Sequence, residues 1–157
     1  MSQPLLVEQS RDIPVGREEA FRDMVPIPLP TLFRRWYGPI PPIKQVLAQT
    51  GDWDAVGQTR TVVLTGGGSM REELTQFDPP NSFGYTLTDI KGPLSPLVGR
   101  VEGEWRFDPA GTGTKVTWRW TIHPRSALSA PALPVFGRLW RGYARQSLEE
   151  LSNQLVH

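Results

Sequence analysis

Cysteine is absent from this sequence of 157 residues, and histidine occurs only twice, at His123 and His157. Disulfide bonds and thiolate metal ligands are therefore excluded, and we expect neither a metal site nor a cofactor. Alternation places His123 on the polar face of its strand, which favours a surface role. His157 is the last residue of the sequence.

Clustered charge of one sign is also missing. Basic and acidic residues nearly cancel, at a net charge of +1. Nucleic acid and anionic membrane surfaces are poor candidate partners, because phosphate groups bind clustered Lys and Arg. No stretch of about 18 apolar residues occurs, and the N-terminus lacks a basic region followed by an apolar one. We therefore expect no stable membrane insertion, and a soluble, cytoplasmic protein.

The length favours a single domain over residues 1–157, large enough to bury a core and still enclose a pocket. An opening strand is predicted at Leu5–Ile13, followed by a short amphipathic helix at Val15–Val25 and a second helical segment at Pro30–Gly38. The prolines of Val25–Ile43 cannot lie inside helices or central strands. This range is therefore predicted to be a stiff, irregular excursion.

Six strands are predicted between about Val46 and Pro124, separated by the turn signals TGDWD, TGGGS, DPPN, KGPLSPLVG and DPAGTGT. Alternation is clearest in KVTWRWTI, and it recurs in RVEGEWRF and SFGYTLTD. The pattern indicates antiparallel strands with one apolar and one solvated face. The sets that share a face are Val116, Trp118, Trp120 and Ile122; Val101, Gly103, Trp105 and Phe107; and Phe83, Tyr85, Leu87 and Asp89.

A long helix is predicted from about Leu133 to Val156, where apolar residues recur at helical spacing. At 1.5 Å per residue such a helix is about 33 Å long, enough to lie across the concave face of a curved sheet. The residues expected to face the sheet are Phe136, Trp140, Tyr143 and Leu151.

Three consecutive glycines in VVLTGGGSMREEL raise the question of a phosphate-binding loop. Such a loop opens a helix and is usually followed by lysine. Here Gly66–Gly68 precede another predicted strand, and no G-K-[ST] occurs. The glycines are interpreted as a hairpin turn, which requires positive φ angles. No G-x-S-x-G elbow surrounds Ser69, so a serine nucleophile is not supported.

The order of strand, two short helices, antiparallel sheet and long C-terminal helix resembles the α+β helix-grip fold of the START/Bet v 1-like superfamily. More narrowly, the chain is similar to its polyketide cyclase/dehydrase and lipid transport group, often called SRPBCC. The positions that carry the resemblance are Gly57, Arg60, Gly66–Gly68, Glu72 or Glu73, Pro79–Pro80, Tyr85, Gly103, Trp105, Gly113–Thr114 and Trp118. The proline-rich VPIPLPTLFRRWYGPIPPI is a local departure from the family pattern.

The resemblance implies a curved antiparallel sheet of six to seven strands wrapped around the long helix, with two short helices after the first strand. It also implies an internal, mainly apolar cavity for a lipid, polyketide or other hydrophobic ligand. The lid would come from Phe33–Ile43 and the loop KGPLSPLVG, which lie at strand ends and carry apolar residues. The residues expected to line the cavity, although each would also serve as core, are Tyr85, Leu87, Trp105, Trp118, Trp120, Phe136, Trp140 and Tyr143.

The candidates for catalysis are Glu72, Tyr85 and Asp89. Asp89 shares the parity of Tyr85, but it lies at the end of its strand, where solvent is expected. If Glu72 points into the cavity, desolvation raises its pKa and makes it a usable general acid or base, with Tyr85 orienting a ligand carbonyl. If Glu72 instead faces water, or pairs with Arg60 or Arg71, it only solvates the sheet. The face that Glu72 occupies is ambiguous. Leu74 has the same parity as Glu72 and favours an inward position, whereas the apolar Phe77 has the opposite parity.

Three functions therefore remain open. The first is a carrier or sensor of a hydrophobic small molecule, which we favour. The second is a polyketide cyclase/dehydratase-like enzyme that uses a cavity acid and tyrosine. The third is a protein-interaction module, suggested by the exposed prolines and Trp36–Tyr37. An enzyme requires convergent polar groups in its pocket and a carrier does not. The sequence does not indicate an oligomeric state.

Overall fold

The structure is a computed structural model that describes residues 3–156, so that His157 lies outside the described residues. Its strands are β1 (Leu5–Ile13), β2 (Ile43–Leu47), β3 (Thr59–Leu64), β4 (Ser69–Asp78), β5 (Ser82–Lys91), β6 (Val98–Ala110) and β7 (Gly113–Pro124). Within the described range these seven strands form one antiparallel sheet in the order β1-β7-β6-β5-β4-β3-β2. The helices are α1 (Arg17–Met24), α2 (Leu29–Leu32) and α3 (Leu133–Leu155). The predicted helix-grip architecture is confirmed.

The segment between α1 and β3 differs from the prediction in its bounds. Helix α2 ends at Leu32, so the helix predicted over Pro30–Gly38 was too long. Phe33 leaves the helical conformation, and its ring lies against Trp118 and Tyr143 at centroid distances of 5.2 and 5.8 Å. The helix therefore ends at the point where the Phe33 side chain packs into the core. Strand β2 begins at Ile43 rather than near Val46.

The glycine-rich stretch is a hairpin turn between β3 and β4, as predicted. Gly66 and Gly67 have φ angles of 96° and 98°, which residues other than glycine rarely adopt. A strand follows the turn, so its backbone N–H groups do not open a helix. The phosphate-loop interpretation is excluded on this geometry.

A bulge in β4 explains why large apolar residues occur at both even and odd positions of that strand. Between Leu74 and Gln76, β4 contains one residue more than the facing part of β5, namely Thr75. Glu72 and Leu74 are buried before the bulge, whereas Phe77 packs against the core after it. One extra residue reverses the alternation, so even-numbered residues face the core before the bulge and odd-numbered residues face it afterwards.

A second bulge, near the end of β5, turns Asp89 outward. The register with β4 shifts there, and Asp89 has a φ angle of 53°. Asp89 is exposed, while the next residue, Ile90, is buried. Asp89 therefore does not share the inward face of Tyr85 and Leu87, where alternation in an unbroken strand would place it, and it lies in solvent as expected for the end of the strand.

The predicted bounds of helix α3 are confirmed to within one residue. The helix packs against β1 and β7. Pro134 lies in its first turn, where a missing backbone N–H costs no hydrogen bond. The residues predicted to face the sheet are buried or, for the first of them, partly buried: Phe136, Trp140, Tyr143 and Leu151. Among residues 3–156, no helix combines the length and apolar character needed to span a membrane.

Candidate functional site

A cavity of about 320 Å³ lies between the sheet, helix α3 and the proline-rich segment. Its lining is mainly apolar and includes every residue expected there from the sequence, namely Tyr85, Leu87, Trp105, Trp118, Trp120, Phe136, Trp140 and Tyr143. The structure thus brings these eight residues together around one space. Their contact with a ligand stays a prediction.

Tryptophan dominates the cavity wall. All six tryptophans of the sequence line it: Trp36, Trp53, Trp105, Trp118, Trp120 and Trp140. Trp105 on β6 and Trp118 on β7 stack almost in parallel, with centroids 5.0 Å apart and an interplanar angle of 8°. Trp140 of α3 lies 4.8 Å from Trp118, which joins the helix to the sheet. Aromatic contacts of this kind each stabilise by about 0.5–1.5 kcal/mol beyond area burial, so the wall is a packed structure.

Tyr85 lies across strand β6 because its partner on that strand is glycine. The register pairs Tyr85 with Gly103, and Gly103 with Trp120. A Cβ at Gly103 would collide with Cζ, Cε2 and the hydroxyl of Tyr85. The Tyr85 ring therefore occupies the space of the missing side chain and reaches β7. There its hydroxyl oxygen accepts hydrogen bonds from Nε1 of Trp118 at 2.8 Å and from Nε1 of Trp120 at 2.9 Å.

Glu72 both lines the cavity and forms an ion pair, so the two orientations considered from the sequence are not exclusive. Strands β3 and β4 place Arg60 directly opposite Glu72. Nε of Arg60 donates to Oε1 of Glu72 at 2.6 Å, and the two side chains are only 8% and 6% exposed. Such a pair is charge-assisted and largely shielded from water. Arg71, the other partner considered, pairs with the exposed Glu73 instead.

Trp53 completes this charged cluster and was not anticipated. The guanidinium carbon of Arg60 lies 3.8 Å from the centroid of the Trp53 ring, a cation–π contact. Trp53 is 2% exposed and has a φ angle of 61°, although it belongs to the turn signal TGDWD. The only signal in the sequence is a large aromatic residue within an otherwise polar turn.

Burial determines the protonation of Glu72 and Tyr85, the two catalytic candidates that line the cavity. The pKa of Glu72 is raised because burial disfavours the carboxylate more than the Arg60 charge and hydrogen bond favour it. Burial and, next, the negative charge of Glu72 raise the pKa of Tyr85 far above its ordinary range, although the two indole donors oppose this. Tyr85 is therefore a neutral phenol at physiological pH. Glu72 accepts a proton at higher pH than a solvated glutamate does.

The proline-rich segment and the loop between β5 and β6 both border the cavity, as expected for the lid. Phe33 and Ile40 contribute from the first, and Leu94 from the second. The Tyr143 hydroxyl donates to the backbone oxygen of Pro41 at 3.1 Å, which fastens the segment to α3. A lid function for these two elements remains a prediction.

The other polar candidates lie away from the cavity. Asp89 is not among its lining residues. His123 is partly exposed on the outer face of β7, where Nε2 lies 2.6 Å from Glu102 and 3.3 Å from Arg100. This position agrees with the expected surface role. In the part of the chain that the structure describes, no three His, Asp or Glu side chains converge as metal ligands would.

Comparison with known proteins gives one family and several similar folds. The family model for "Polyketide cyclase / dehydrase and lipid transport" matches residues 4–156. No protein with a curated description matches the sequence significantly.

Among solved structures, TTHA0849 from Thermus thermophilus is 18% identical, with a TM-score of 0.70 over 97% of each chain. Major latex-like protein 151 from Panax ginseng is 11% identical, with a TM-score of 0.73 over 99% of each chain. Ara h 8.0201 is 15% identical, with a TM-score of 0.69 over 98% of each chain. Identities this low establish a common fold alone.

Proposed function

Since the chain belongs to the polyketide cyclase/dehydrase and lipid transport family, we propose that residues 1–157 act as one START-like domain that binds a hydrophobic small molecule. The molecule is a lipid or polyketide, and the protein is its cytoplasmic carrier or sensor. The observation that carries the proposal is the apolar cavity of about 320 Å³ with tryptophan-rich walls. This volume falls within the roughly 300–1,000 Å³ of small-molecule sites.

A carrier is favoured over an enzyme by the state of the polar groups at the cavity. Arg60 and Glu72 neutralise each other, and the Tyr85 oxygen already accepts two hydrogen bonds. An enzyme requires several polar groups that converge on one reacting atom. Apolar burial, which drives the association of a carrier with its ligand, needs no such convergence.

Native mass spectrometry tests this function directly. The purified protein is incubated with cell lipid extract, desalted, and measured under non-denaturing conditions. We expect a complex of one protein with one apolar molecule, which collisional activation releases for identification. A protein that retains only its own mass after exposure to lipid extracts and aromatic polyketides would argue against the proposal.

A polyketide cyclase/dehydratase-like enzyme is the second candidate, and Glu72 is the observation that favours it. Its raised pKa, caused by burial, suits a group that takes up and returns a proton during ring closure or loss of water. Tyr85 on the neighbouring strand would hold the substrate carbonyl.

The two candidates are separated by Glu72→Gln, assayed for ligand affinity and for turnover of a polyketide-type substrate. Turnover equal to that of the wild type eliminates the catalytic role of Glu72. Lost turnover with unchanged affinity establishes the enzyme and overturns our preference for a carrier. Glu73→Gln on the solvated face of the same strand is the matched control.

A further inference from the structure

The cavity shares a wall with a second space on the outside of the molecule. This second space is an open groove between residues 25–30 and the edge strand β2. On the strand side the groove is lined by Lys44, Gln45 and Val46, none of which lines the cavity. The residues that line both spaces, and so form the wall between them, are Val25, Ile27, Leu29, Trp53 and Arg60.

Four of the five wall residues are held in place. In residues 25–30, proline alternates with the three aliphatic members of the wall, and each proline ring fixes its own φ angle. Arg60 is held by the Glu72 carboxylate at 2.6 Å in a buried ion pair. A movement that opens the wall therefore falls to the fifth member, Trp53.

The buried position of Trp53 carries two costs. Its φ angle of 61° is one that residues other than glycine seldom adopt. Its indole N–H is buried and has no hydrogen-bond partner among residues 3–156. Trp140 also has an unpaired N–H, but its ring is packed against Trp118 and Trp120 at 4.8 and 5.6 Å. Rotation of the Trp53 ring into water would hydrate the N–H and relax the backbone, which offsets the lost burial.

The turn that carries Trp53 is fastened on either side of it. Before Trp53, the Thr50 N–H donates to the Thr59 oxygen at 2.9 Å. After Trp53, the Asp54 N–H donates to Oε1 of Gln58 at 2.8 Å. The few residues between these two points can therefore move while both strands keep their register.

We propose that Trp53 is a gate between the groove and the cavity. In the closed position its ring rests on the Arg60 guanidinium, whose carbon lies 3.8 Å from the ring centroid. In the open position the ring swings outward, the Arg60–Glu72 pair remains, and the cavity joins the groove. The ligand then enters and leaves beside β2, apart from residues 33–43 and the loop between β5 and β6. The inference rests on the proposed function for the existence of a ligand, and it adds the route of exchange.

Stopped-flow mixing with fluorene, followed by the fluorescence of the probe, tests the route. Gln45→Trp places a large ring in the groove, at an exposed position that does not line the cavity. We expect association and dissociation to slow by roughly fivefold or more, with the affinity within about twofold of the wild type, because a blocked route raises the barrier alone. Leu47→Trp, on the same strand but outside both spaces, is the matched control and should exchange fluorene as the wild type does. Trp53→Ala removes the gate and should speed both rates by roughly fivefold or more.

The motion of the gate is measured without a ligand, by fluorine NMR of protein labelled with 5-fluorotryptophan. Trp53→Phe identifies the resonance of Trp53. We expect this resonance to show microsecond-to-millisecond exchange broadening, and that of Trp105, which is stacked on Trp118, to lack it.

Equal relaxation of the Trp53 and Trp105 resonances overturns the gate. Wild-type exchange rates in Gln45→Trp, with fluorene still bound, overturn the route while the proposed function stands. Failure of fluorene to bind any of these proteins overturns the proposed function, and the fluorine resonance of Trp53 then decides on the gate alone.

Discussion

Replacing Arg60 by methionine should reveal how strongly the buried ion pair stabilises this fold. The variant keeps an unbranched apolar stem but leaves the Glu72 carboxylate in an apolar site without its 2.6 Å partner. It also removes the cation that lies 3.8 Å from the Trp53 ring. Removal of one member of a buried pair typically costs about 3–5 kcal/mol. At about 2–4 °C per kcal/mol for a domain of this size, the midpoint of thermal unfolding should fall by roughly 6–20 °C.

Urea unfolding at pH 7 measures the free energy change, and the chain offers a control on the neighbouring strand. Arg71 pairs with Glu73 at 3.3 Å, but these side chains are 48% and 38% exposed. Arg71→Met should therefore cost about 0–1 kcal/mol. The double variant Arg60→Met/Glu72→Leu should recover most of the loss, because it removes both charges.

The pH dependence follows from the direction of the Glu72 pKa shift. Burial raises that pKa above its ordinary value of 4.5, and removal of Arg60 raises it further. Below pH 4.5 the carboxyl is protonated in the folded and unfolded protein alike, so the cost of Arg60→Met is smallest there. As the pH rises above 4.5, Glu72 stays protonated in the folded variant to higher pH than in the unfolded variant. The free energy of unfolding of the variant therefore falls as the pH rises through this interval. A cost that is equal for Arg60→Met and Arg71→Met, or that does not vary with pH, would refute this reasoning.

Three further substitutions test other parts of the structure. In Gly142→Ala the new methyl group collides with the Tyr37 ring, so limited proteolysis should cleave residues 33–43 faster than in the wild type. Phe21→Ala removes the ring that makes edge contacts with three phenylalanines, and urea unfolding should show a loss of about 3–5 kcal/mol. Thr114→Val deletes the buried 2.6 Å hydrogen bond to the Val15 oxygen. Calorimetry should show a loss of about 1–3 kcal/mol from the unpaired carbonyl.

The individual strands and helices could be predicted because their main signals are local and periodic, whereas their arrangement as a helix-grip fold was implied by the family resemblance. Alternation in β6 and β7, the glycine turn after β3, and the helical stripe of α3 each follow from which face is buried. The two bulges could not be predicted in the same way. An extra residue at Thr75 or Asp89 breaks the alternation, and only pairing with the neighbouring strand determines where the break falls.

The candidate site was predictable in its apolar part and less so in its polar part. Every aromatic residue expected at the cavity lies there because alternation and helical spacing define its face. The Arg60–Glu72 pair and the Tyr85–Gly103 contact instead depend on cross-strand register, which one sequence does not specify. Trp53 was missed because its position depends on a left-handed backbone in a turn.

The central claim, that an apolar molecule occupies this cavity, is tested most directly by filling the cavity. Leu64 lines it from β3 and is only partly buried, so Leu64→Trp adds volume to the space with little disturbance of the core. Thr86→Trp, at a partly exposed position of β5 that does not line the cavity, is the control. We expect fluorene to bind the wild type and Thr86→Trp saturably at one site, and Leu64→Trp at least tenfold more weakly, for a loss of about 1.4 kcal/mol or more. Equal affinity for all three proteins, or no saturable binding to any, would contradict the account.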